Sequence, residues 1–225
     1  MAIAYDSSAQ ANNGATTTLV VPITCTGSNR GLVFFPYWGN SRTIISCDYA
    51  GVPMNQTLFP LDTTGGERHG MFDLPNPASG TNNLTFVLSG STGIVGIAAS
   101  YTGVNQTAMI GAIYTEIGLE TGTTMAESLT TLTDNSWVAW STRDYAGRTI
   151  TAGANTALRQ RENSVYGMIM ADSNAAVSPA GARTLNLNAN LSANWYSDIL
   201  AEIKPATGGG GGTPTPQLMM MGVGL

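Results

Sequence analysis

The residues best suited to chemistry in this chain are few and far apart. His69, in "TGGERHGM", is the only histidine, so a Ser-His-Asp relay would have to be built around this one ring on a glycine-rich loop. No G-x-S-x-G elbow accompanies it, and a solvated loop or a subunit contact is the expected role. One histidine and two separated cysteines, Cys25 and Cys47, cannot supply a zinc tetrahedron; neither a metal nor a cofactor is expected. The cysteines permit one disulfide, but without a leader pattern two packed free thiols are expected. Glycosidases need only two acids held a short distance apart across a sugar. Glu116 and Glu120 in "YTEIGLE", or Asp134 and Asp144, are pairs that a fold could bring together. Acids on loops ordinarily serve solubility or capping, and the expectation is that the chain is not an enzyme.

Trp38, Trp137, Trp140 and Trp195, with Tyr37, Tyr101 and Tyr145, could form an aromatic platform for sugars, host-surface glycans included. Residues three apart on a strand face opposite sides, however, so Trp137 and Trp140 cannot share a surface. At least one is expected in the core or at a subunit contact. The net charge is −5, with Lys204 the single lysine and the arginines scattered. Phosphate backbones require a concentrated cationic stripe, so nucleic acid is not an expected partner. No run approaches the about 18 to 20 apolar residues of a membrane span, and no membrane partner is expected either.

The elements that must position these residues are strands. Only 10% of residues are charged while 43% are hydrophobic, which describes a folded body with a neutral polar surface. Segments 16–26, 31–38, 42–51, 82–90, 93–103, 136–144, 147–153, 164–172, 183–192 and 194–205 are short, rich in β-branched and aromatic residues, and often alternate. In "RTLNLNANLS" Leu185, Leu187, Ala189 and Leu191 are expected to face inward and Asn186, Asn188 and Asn190 outward. Between the segments, "TGSNRG", "YAGVP", "PNPASGTNN", "SGSTG", "DYAGR" and "SPAGA" carry turn chemistry, as do the sequons at Asn55, Asn83 and Asn105. Residues 123–132 fit a helix, with Thr124 and Glu127 at capping-box spacing and Leu129 and Leu132 inward, or a strand. Punctuation at intervals of about 8 to 12 residues predicts an all-β sandwich or barrel, here one domain over residues 1–206.

"GSNRGLVFF" (27–35), "CDYAGVPMNQ" (47–56), "ASYTGVNQTAMIG" (99–111) and the closing stretch from Trp195 to Pro205 carry a resemblance. With Asn29 and Arg30, then Tyr49, Gly51 and Met54, then Gly103 to Thr107, the chain resembles a broad family of jelly-roll-like β-sandwich proteins of bacteriophage genomes and bacterial surfaces. The resemblance covers roughly residues 3–206 and implies an antiparallel jelly-roll-like β-sandwich, not a reaction. The missing secretion signal favours its phage-structural branch, whose expected place is the virion, assembled in the host cytoplasm. The cell surface is the alternative.

Residues 207–225, "TGGGGGTPTPQLMMMGVGL", read as an attachment device. Five glycines form a flexible tether and Pro214 and Pro216 favour extended backbone. Leu218, Met219, Met220, Met221, Val223 and Leu225 would then expose apolar surface worth about 1.5 to 3 kcal/mol per fully buried large side chain. Such a strip can add to a sheet edge or lie in an apolar trough. The expected partners are another virion protein, of capsid or tail, or a symmetry mate in a homo-oligomer. The sequence therefore leads to a capsid decoration or head-fibre-type protein, with a tail or minor virion protein and a carbohydrate-binding adhesin as alternatives.

Overall fold

A computed structural model describes residues 1–39, 42–62, 66–120, 122–143, 148–163, 167–190 and 194–207. The expected anchor from Leu218 to Leu225 lies outside them. Among the described residues there are strands and no helix, and every named strand pair is antiparallel. The chain is an all-β sandwich, as its periodicity requires.

The first seven strands, β1 (Ala4–Cys25), β2 (Gly31–Trp38), β3 (Ile44–Tyr49), β4 (Val52–Pro53), β5 (Asn55–Asp62), β6 (Arg68–Pro75) and β7 (Gly80–Thr102), form one sheet. β1 and β7 run side by side along nearly their whole lengths, with register breaks between Asn13 and Thr18. β3 pairs with the first half of β7 and β2 with the second. The two halves of the sheet fold face to face over Leu19, Val21, Phe34, Phe72, Leu84 and Phe86.

The remaining strands are β8 (Ile110–Glu120), β9 (Thr124–Thr130), β10 (Trp137–Arg143), β11 (Ile150–Ala152), β12 (Ala157–Glu162), β13 (Met168–Asp172), β14 (Ala182–Ala189) and β15 (Asn194–Ile203). They make a five-stranded sheet, β12-β13-β10-β15-β8, and a three-stranded one, β11-β14-β9. The five-stranded sheet packs one face on the first sheet, where Trp137, Ala139, Met168, Met170, Ile199 and Ala201 meet Val33, Phe35, Val95 and Ile97. Its other face presents Val138, Trp140, Ile169 and Leu200 to Leu185 and Leu187 of the three-stranded sheet.

The result is four stacked layers whose two inner ones have both faces covered. β2, β10 and β13 are therefore buried at every position, and "GLVFFPYW" and "MIMAD" lack a polar face. An outer-layer strand alternates instead: in β14 Leu185, Leu187 and Ala189 are buried and Asn188 is exposed, while Leu191 lies outside the described residues.

Two expectations change. The stretch "SGSTG" is not a reversal between two strands, because β7 runs straight through it. Its glycine and serine lie opposite the register breaks of β1, so turn-type residues bend a ribbon that already has a partner on each side. β1 begins at Ala4, well before residue 16. Its polar half gives no alternation because its side chains make specific bonds: Asp6 accepts from Thr26 N and Ser100 Oγ, and Ser8 Oγ donates to Arg159 O. Residues 124–130 settle as strand β9, with Leu129 buried and Leu132 74% exposed, where a helix would have turned both inward.

Gly96, in the second half of β7, sits beneath the Phe34 ring. A Cβ there would lie 2.5 Å from Phe34 Cε2 and 2.9 Å from Leu19 Cδ2. Both neighbours are fully buried and cannot swing away into solvent. Gly96→Val should cost about 1 to 3 kcal/mol by overpacking, measured as a lower urea midpoint with unchanged slope.

Candidate functional site

The strongest candidate for contact with another molecule is an apolar groove of about 520 Å³ at one end of the layers, lined by Met1, Ala2, Ile3, Asn135, Trp137, Ala176, Pro205 and Ala206. No lining side chain is charged. Ile3 and Trp137 belong to the core between the inner layers, so the groove lies where that core reaches the surface.

Its walls are held by backbone bonds. Asn105 N donates to Lys204 O, Lys204 N to Met109 O and Ala206 N to Gly103 O, which pins residues 204–206 against the 103–109 segment. Gly103 has φ +69°, and a Cβ on it would come within 2.1 Å of Ala2 O; the close approach of residue 2 requires glycine. On the opposite side Asn135 N donates to Val177 O and Val177 N to Ser136 O. Beneath this loop the fully buried Glu202 carboxylate accepts from Ala112 N, Leu132 N, Thr133 N and Ser136 Oγ at 2.7–3.1 Å. Burial alone would raise its pKa, but these donors outweigh it and hold the carboxyl below its ordinary value.

A second polar site lies between the five- and three-stranded sheets. Asp198, on β15, is 2% exposed and accepts from Trp140 Nε1 at 2.8 Å. Tyr196 Oη donates to Glu116 Oε1 at 3.1 Å, and Tyr114 Oη donates to the other Glu116 oxygen. Burial, reinforced by the charges of Glu127 and Glu116, pushes the Asp198 carboxyl up to about 8. Burial and then the Glu116 charge push Glu127 up to about 7. A cavity of about 220 Å³ adjoins them, lined by Thr124, Met125, Ala126, Glu127, Tyr196 and Asp198. Carboxyls with raised pKa values facing a cavity are candidates for general acid–base chemistry, but this volume falls below the about 300 to 1,000 Å³ of ligand pockets.

His69 is not on a solvated loop. It lies in β6, fully buried, with Nδ1 3.1 Å from Ser197 O and 3.0 Å from Ser197 Oγ, and Nε2 3.1 Å from Ser141 Oγ. The ring ties the first sheet to the five-stranded one, and burial above all pulls its pKa down to about 3. The expected loop fails because β2 pairs with β6 and draws His69 opposite Tyr37. Beside it Tyr37 Oη donates to Glu67, which also pairs with Arg143 at 2.7 Å.

The other expected residues divide cleanly. Glu116 is not matched with Glu120, whose side chain lies outside the described set; its electrostatic partners are Glu127 and Asp198. Asp134 accepts from Ala180 N, and Asp144 lies outside the described residues. Trp38, Trp140, Tyr37 and Tyr101 are fully buried and offer no stacking surface. Trp137 and Trp140 do face opposite sides of β10, one in each adjoining core. Tyr145 and the Trp195 side chain lie outside the described residues. Cys25 and Cys47 are buried free thiols, as expected. Among the described residues no cluster of three or more His, Cys, Asp or Glu side chains could hold a metal.

Sequence reasoning missed Asp198, Glu127 and Glu202. A signal existed: in "YSDILAEI" Asp198 and Glu202 lie two positions on either side of the core residue Leu200, and the period-two pattern of a strand puts all three on one face. No protein-family model, curated protein or solved structure matches this chain.

The raised carboxyls fix the sign of a pH dependence. Folded Asp198 and Glu127 keep protons that the unfolded chain has released above about pH 4, so the folded state binds more protons and stability falls as pH rises towards 7 to 8. His69, depressed, acts oppositely, its contribution being complete above about pH 6.5 and lost as pH falls towards 3. From pH 6.5 to 8, below the range in which the raised Cys25 and Cys47 thiols add to the effect, Tm should fall. Asp198→Asn, which keeps an acceptor for Trp140, should flatten the fall.

Proposed function

We propose that this chain is a structural component of a bacteriophage particle, a capsid decoration or head-fibre-type protein attached through residues 207–225. It works as part of a homo-oligomeric array and without catalysis. The observation that carries this reading is the placing of residues 204–206: three backbone bonds fix them beside a groove whose lining side chains are uncharged, so the tail would depart from a defined point on a braced end of the body. A tether needs such a fixed origin if its far end is to reach a neighbour at a set distance.

The layered body supports the same role. Its inner polar groups hold sheet to sheet, as His69 does with Ser141 and Ser197, and Tyr101 Oη does with Asp172. The resemblance of the "NRGLVF", "YAGVPM" and "GVNQT" segments to phage sandwich proteins points the same way. In a symmetric shell a weak tail contact repeated at many positions gives large avidity, which suits an eight-residue apolar strip at the end of a leash.

Deleting residues 208–225 tests the reading. The truncated protein should melt at the same temperature as the full chain yet be missing from purified particles, in which the full chain should be present in hundreds of copies by quantitative mass spectrometry. Incorporation of the truncated protein at the full-length level would remove the attachment role.

A further inference from the structure

We propose that the groove lined by Ala2, Ile3, Trp137, Ala176 and Pro205 receives the Leu218–Leu225 segment of a second copy of this chain. The inference rests on the attachment reading above and names the acceptor.

Groove and segment match in chemistry. The lining holds no charged side chain, and neither does Leu218–Leu225; packing one on the other would remove apolar surface from water. Three of the eight residues are methionines, whose unbranched side chains adapt to an irregular trough. A volume of about 520 Å³ lies within the range of sites that enclose several side chains, about 300 to 1,000 Å³. The walls are fixed by the backbone bonds at Gly103, Val177 and Ala206, so little ordering accompanies binding.

Length decides between the two possible donors. The chain leaves at Ala206, itself part of the groove lip. Thr207 to Gln217 then separate the lip from Leu218, a tether of about 18 Å on average and no more than about 40 Å at full stretch. Pro214 and Pro216, just before the segment, favour extended backbone and disfavour a tight reversal there, which favours a groove displaced from the tail's own point of departure. A neighbour's groove within that span needs no reversal. Tail origin and groove also share one end of the molecule, so two copies meeting by that end can exchange tails reciprocally, the self-complementary arrangement of a two-fold contact.

Ala176 and Ala2 are exposed, so Ala176→Arg and Ala2→Arg fill the groove with charge while leaving the core untouched; unchanged melting confirms the fold. By sedimentation the full chain should self-associate at micromolar concentration, and Ala176→Arg, Ala2→Arg and the chain lacking 208–225 should each be monomeric, with association weakened at least tenfold. Mixing Ala176→Arg, which keeps its tail, with the truncated chain, which keeps its groove, should restore a complex with one copy of each. A monomeric full-length chain, whether its tail is free or in its own groove, overturns the proposal, as does wild-type association of both groove variants. Particles that exclude the truncated chain but incorporate both groove variants normally would leave the attachment role standing and show that its acceptor is elsewhere.

Discussion

Four stacked layers leave the central strands of the two inner layers with no face in water, and from that constraint most of the molecule follows. A strand covered on both sides must be apolar at nearly every position, or must supply a partner for each polar group it carries, since an unpaired buried donor or acceptor costs about 1 to 3 kcal/mol. β2 takes the first course and is buried throughout. β10, β13 and β15 take the second. Their buried polar residues, Ser141, Asp172, Ser197, Asp198 and Glu202, are each bonded to a neighbouring element. The buried polar network and the layering are therefore one feature seen from two sides.

The ionisable groups inside this network do not share one environment, and their pKa values part accordingly. Glu202 gathers backbone and hydroxyl donors and stays ionised with ease, while Asp198, with fewer donors and two acids nearby, holds its proton to about 8. His69 is kept neutral by burial. Two carboxyls four residues apart on one strand thus differ because of what the facing elements offer them. The charge of each is set by the packing of sheets, and each in turn reports whether those sheets are in contact.

The groove marks where the layering stops. Trp137 and Ile3 belong to the core between the inner layers, are all but buried, and line the groove with Ala2, Pro205 and Ala206. The opening lies beside residues 204–206, close to the end of the described chain. The braces around it, Glu202 beneath the 132–136 loop and Gly103 against Ala2, set the shape of the groove from within the chain.

Periodicity and punctuation in the sequence determined the all-β class, the inward leucines of β14 and the opposite facing of Trp137 and Trp140, because side-chain direction along a strand is a local property. Turn residues located the Ala50–Gly51 reversal, where both φ values are positive, since that backbone shape is also local. The pairing of β1 with both halves of β7 was hidden, as "SGSTG" has the composition of a turn and only the strands on either side decide that it bends instead. His69 likewise followed the glycines around it into an expected loop, and Glu116 was matched by chain proximity when its electrostatic neighbours, Glu127 and Asp198, come from other strands. Which face of a residue is covered, and by what, depends on contacts between segments distant along the chain; the layering alone decided which polar side chains are buried, how they ionise and where the core opens to the surface.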